Sequence, residues 1–190
     1  MKRRELLKGT LSGALALSLP WAMSRPAFAE PSSGEKVLNI VRRTIEVNGR
    51  AASVFGVQQA NGTVGLHYRA NDTFNLLLRN ETAEPTIIHW HGLTPPWPSD
   101  GVPDAPLPLL AATSDRAFDF PIGKPGTYWL HAHTLQEQAL LAAPLIVANP
   151  ADDGRDEQEV VVLLHDFSFT SPEELLAGPT GWAARPVGYA

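Results

Sequence analysis

From Val37 to Asn149 the chain is divided into strand-length pieces, each closed by proline, glycine or asparagine, and this punctuation does most to limit its fold. "VLNIVRRTIEVNG" has strand composition and ends in the turn signal Asn48-Gly49, and Asn61-Gly62 repeats that punctuation. "DTFNLLLRN" places Phe74, Leu76 and Leu78 at period two, the repeat of a half-buried strand. "TIIHWHGL", "AFDFPI", "GTYWLHAH" and "APLIVAN" follow. Seven or so short strands with such turn signals predict an all-β sandwich or barrel, and 17 prolines with 15 glycines suit that loop-rich class better than a helical bundle. "LQEQALLAA", residues 135–143, has good helix formers with no glycine or proline and predicts one or two helical turns between two strands.

The first 29 residues read as a leader. A basic start, an apolar stretch from Leu11 to Leu19 and small residues before Ala29 make a signal peptide whose apolar part is too short for a stable membrane anchor. Arg3-Arg4 followed by Leu6, Leu7 and Lys8 resembles the twin-arginine class and predicts export to the periplasm. The leader holds Lys2, Arg3, Arg4, Lys8 and Arg25 against Glu5, so the formal charge of −5 for the whole chain becomes −9 without it. An acidic domain with scattered basic residues has no nucleic-acid footprint and no reason to seek anionic lipid. With 44% hydrophobic and 18% charged residues, wholesale disorder is excluded. After the polar stretch from Asn149 to Asp156, "DEQEVVVLLHDFSF" predicts a further strand. The expected division is a leader at 1–29, a sandwich at 37–150, and a linker with the first strand of an incomplete second domain at 151–190.

Four of the six histidines fall in two His-x-His pairs, His89/His91 in "TIIHWHG" and His131/His133 in "GTYWLHAH". Side chains two apart on a strand share a face, so each pair presents two imidazoles together. The two strands may run side by side in one sheet or face each other across a sandwich; either brings four imidazoles to one pocket. One such pair arises by chance often enough, but two of them, each beside an aromatic residue, point to a metal. Neutral imidazole suits copper, zinc or iron, and four exceed the three protein ligands of an ordinary catalytic zinc. Trp90 and Trp129 neighbour the pairs and are expected to point away from them into the core. His67 and His165 have no partner at ligand spacing and are left outside the site.

"TIIHWHGL" and "DGVPD", then "GTYWLHAH", "QEQ" and "APLIV", together resemble the N-terminal cupredoxin domain of the multicopper oxidases, over residues from about 44 to 165. The resemblance departs at Leu130 and Ala132, where the family has tyrosine and serine, at Asn71-Asp72 in place of Gly-Asp, and at Ala143 in place of glycine. None of these is a ligand position. It implies a Greek-key β-sandwich of cupredoxin type with one short helix, and half the ligands of a trinuclear copper centre that reduces O2 to water. His89 then resembles the type 2 copper ligand, His91 and His131 ligands of one type 3 copper, and His133 a ligand of the other. Asp100 resembles an aspartate that assists proton delivery, although Asp100-Gly101 is equally a turn-forming pair. Glu137 is another acid close by, on what reads as a solvated helix face.

The chain has no cysteine, and its two methionines, Met1 and Met23, lie in the leader. The type 1 copper that takes electrons from a donor needs a cysteine and two histidines, so this chain is expected to be inactive alone and to depend on a C-terminal cupredoxin domain, in cis or in trans. The rival reading is a non-enzymatic periplasmic copper-binding or tolerance protein. A weaker one is a zinc hydrolase using Asp100 or Glu137 as its base. The electron donor is not legible.

Overall fold

A computed structural model describes residues 28–103 and 107–178; the expected leader lies almost wholly outside the described residues. Among the described residues, eight strands form two four-stranded sheets. One sheet has the order β2-β1-β4-β6, from β1 (Lys36–Val47), β2 (Arg50–Gln59), β4 (Thr73–Asn80) and β6 (Ser114–Pro121). The other has the order β3-β8-β7-β5, from β3 (Leu66–Arg69), β8 (Ala142–Ala148), β7 (Gly126–Ala132) and β5 (Ile88–His91). The chain changes sheet at every connection from β2 to β7. Each sheet is mixed, since β1 pairs with β4 and β3 with β8 in parallel. This is the expected cupredoxin-type sandwich.

Local sequence explains much of it. Asn48 and Gly49 both have positive φ (51° and 76°), as a two-residue hairpin turn matched to strand twist requires, and they set Val47 opposite Arg50. The period-two apolar residues Phe74, Leu76 and Leu78 are all buried in the shared core. Phe74 stacks on Phe120 at 4.5 Å and meets Trp90 edge-on at 4.8 Å, while Trp90 meets Phe118 at 5.1 Å, so aromatic rings from both sheets interlock. Trp90 is completely buried, as expected, and fixes β5, with its flanking histidines, to the centre of the molecule.

Three departures from the sequence expectations have physical reasons. The expected helical turn between β7 and β8 is present, as a 3-10 turn over Leu135–Ala139, but it stops short of residue 143: Leu140 takes a left-handed conformation (φ 66°), and Ala142 already pairs with His131 in the β7–β8 ladder. Pairing demands extended backbone there and overrides helix propensity. The one α-helix among the described residues, α1 (Pro172–Ala177), lies in the tail, opened by Ser171 and Glu174 in a reciprocal capping box. Residues 155–168 join no ladder, and Val160, Val162 and Leu164 are exposed. A strand forms only where a partner meets its edge, and the described residues offer none. None of the described helices is long and apolar enough to cross a membrane.

Candidate metal centre

The two His-x-His strands are hydrogen-bonded neighbours: β5 and β7 run antiparallel, with His89 opposite His131 and His91 opposite Trp129. The side-by-side arrangement therefore holds, and the pairs meet within one sheet. His89, His91 and His131 each offer a ring nitrogen within 4.8 Å of the others. The His133 ring stands beside them, 4.9 Å from that of His89 and 5.0 Å from that of His131 between centroids. Sequence alternation thus brings all four expected ligands to one place, three of them in a tight set.

The unused nitrogens are held from behind. His89 Nδ1 lies 2.8 Å from the main-chain carbonyl of Asp100, an acceptor, so the neutral ring donates there and leaves its Nε2 lone pair free. That carbonyl is delivered by the turn at 97–100, which Trp90 clips by donating its indole N–H to the Ser99 carbonyl at 3.0 Å. Gly101 closes the turn at φ +75°, and a Cβ there would lie 1.8 Å from the Ile88 carbonyl oxygen. Only glycine lets the loop approach β5 this closely. The Asp100 carboxylate sits 3.4 Å from His89 Nδ1, and the Glu137 carboxylate sits 3.4 Å from His131 Nδ1. The two acids thus flank the histidine cluster.

Trp129 corrects the sequence reading. It lies two residues before His131, in phase with it, and stacks on the His131 ring at 4.1 Å with an interplanar angle of 15°, while also covering His91 at 5.1 Å. It belongs to the ligand face. The same alternation that paired the histidines carried this information. Leu130 and Ala132, out of phase, are fully buried in the core, which is why apolar residues serve there.

Electrostatics favour the neutral, ligand form of two rings, His131 and His133. Burial pushes the His131 pKa down; Glu137 and the Ala132 carbonyl oppose that, and the nearby His89 and His91 add to it. Burial also lowers that of His133, reinforced by His89 and His131. Neutral imidazoles that resist protonation are what a soft or borderline cation needs. His91 Nδ1 and His131 Nε2 face each other at 3.3 Å, a spacing that suits either a shared proton or a shared cation.

A multicopper oxidase family model matches residues 39–152, well over half the chain and the whole histidine cluster. The chain belongs to the multicopper oxidase family. Relatives include copper resistance protein A of Pseudomonas syringae pv. tomato, 31% identical over 92% of this chain and 30% of that protein. Copper resistance protein A of Escherichia coli is 30% identical with the same two shares. Among solved structures, a multicopper oxidase from Pseudomonas thermotolerans aligns with a TM-score of 0.55 at 28% identity, over 60% of this chain and 29% of that one. The McoA multicopper oxidase of Aquifex aeolicus aligns at 0.56 and 26% identity, over 67% and 30%. The chain spans about a third of the length of these multicopper oxidases. Family membership implies copper, and the donor set fits it: imidazoles with converging nitrogens, two of them with Nδ1 held by an acceptor, and no thiolate.

Proposed function

We propose that the chain is the copper-binding N-terminal domain of an exported, periplasmic multicopper oxidase and supplies half the ligands of its trinuclear centre. The observation that carries this reading is the β5–β7 register, which sets His89 opposite His131 and gathers three imidazole nitrogens within 4.8 Å. His89 would hold the type 2 copper, His91 and His131 one type 3 copper, and His133 the other. Bound copper would supply the electron storage and oxygen binding by which such an enzyme reduces O2 to water at the expense of a one-electron donor.

The chain's own residues orient and shield. The Asp100 carbonyl fixes the His89 ring, Trp129 covers one side of His91 and His131, and the Asp100 carboxylate, 3.4 Å from His89 Nδ1, would assist proton delivery to the centre. Both acids contact the back nitrogens of ligand rings, which suits orientation and proton traffic and gives no support to a zinc hydrolase with a carboxylate base. The remaining copper ligands, and the cysteine-bearing type 1 site, would come from a C-terminal cupredoxin domain. In this reading the unpaired stretch at 156–169 is the opening strand of the next domain after the linker, waiting for its sheet.

Native mass spectrometry of the exported protein from copper-supplemented periplasm tests this. Several coppers in a species larger than 190 residues, lost on His89→Ala, is the expected result. One reversibly bound copper on a lone chain would favour the copper-tolerance reading instead. Oxidase activity from this chain alone would overturn the domain assignment.

A further inference from the structure

We propose that Glu137 is the positioning residue that sets the tautomer of His131 and thereby aims its Nε2 at the metal pocket, an inference that rests on the copper reading above. The two nitrogens of His131 face opposite surroundings. Nδ1 meets the Ala132 carbonyl at 3.2 Å and Glu137 Oε2 at 3.4 Å. Both are acceptors, so the neutral ring keeps its proton on Nδ1. Nε2 is then a lone pair, 3.3 Å from His91 Nδ1 and inside the tight nitrogen set. Turned over, the ring would offer a carbon to the carboxylate and withdraw Nε2 from its neighbours.

Glu137 reaches His131 because the short 3-10 turn after β7 is pinned. The buried side chain of Gln136 accepts from Thr134 Oγ1 at 2.7 Å and donates to the Pro85 carbonyl at 3.2 Å and Glu84 Oε2 at 3.4 Å. Pro85 lies on the segment entering β5, and Glu84 is itself paired with Arg42 at 2.9 Å. Residue 136 therefore ties the turn to the other ligand strand, and residue 137, one step on, projects back to β7. Trp129, stacked on the ring, holds the plane in which the tautomer matters. Outer contacts of this kind orient ligand imidazoles, and their loss commonly weakens metal affinity 10–100-fold.

The test reads the ring directly, without copper. Long-range 1H–15N correlation on the 15N-labelled, metal-free full chain shows which nitrogen of His131 carries the proton, with His131→Asn as the assignment control. The expected result is Nδ1–H in the wild type, a shift toward the other tautomer in Glu137→Ala, and retention in Glu137→Gln, whose amide oxygen still accepts. Gln138→Ala, exposed on the same turn, should leave the signal in place. Calorimetric titration with copper(II) should then show about tenfold weaker binding for Glu137→Ala and a smaller loss for Glu137→Gln. Nε2–H in the wild type, or an unchanged tautomer in Glu137→Ala, overturns the proposal. The expected tautomers with no copper uptake by the wild type would overturn the copper reading and leave the role of Glu137 standing.

Discussion

His89 faces His131 across the β5–β7 ladder with ring centroids 5.5 Å apart and planes at 88°. Crossed rings on one register pair do not stack; they turn nitrogens toward a common space. Because the two residues share that space, their contributions to metal binding should be coupled. We expect His89→Ala and His131→Ala each to lower copper affinity by more than tenfold, and the double variant to lose less than the product of the single losses. A titration of the four proteins that gave simple additivity would place the two rings on independent sites.

Gly101 holds the Asp100 carbonyl against His89, and any Cβ at this position meets the Ile88 main chain. Gly101→Ala should therefore cost about 1–3 kcal/mol of stability and weaken copper binding together, because the turn must back away from β5. Denaturant unfolding and copper titration on the same variant check both. An unchanged unfolding midpoint would contradict the close approach.

Two tryptophans near the site should behave oppositely. Trp90 is buried among Phe74 and Phe118 and donates to Ser99, so Trp90→Ala should cost about 3–5 kcal/mol. Trp97, on the rim, is 62% exposed, and Trp97→Ala should change stability by no more than about 0.5 kcal/mol. Equal losses in urea unfolding would refute the packing assigned to β5.

Tyr68 provides a pH signature away from the histidine cluster. Burial raises its pKa well above the ordinary tyrosine value, with Asp72 adding to the effect. The folded chain thus keeps this phenol neutral at a pH where the unfolded chain ionises it. The resulting stability is fully present below about pH 10 and is lost as pH rises from there toward the folded value, at no more than about 1.4 kcal/mol per pH unit. Tyr68→Phe should flatten that alkaline slope in unfolding curves taken between pH 8 and 11; an identical slope would deny the burial.

Much of the site was legible because strand alternation is a local property. The spacing of His89 from His91, and of His131 from His133, already fixed each pair on one side of its strand. The same rule places Trp129, two residues before His131, with the histidines. Glu137 was not legible in the same way. Its six-residue separation from His131 means little until a 3-10 turn ends at Leu140 and folds back, and that turn exists because β8 claims Ala142 for its ladder.

By itself, the sequence determined six of the eight strands, their punctuation, the two histidine pairs and the family they belong to, because turn chemistry and period-two patterning act over a few residues. The tertiary structure alone decided that β5 and β7 are neighbours, that His89 faces His131, and which atoms stand behind each ring. Those relationships depend on register between segments about 40 residues apart, which is settled by packing Trp90 and its aromatic partners into one core.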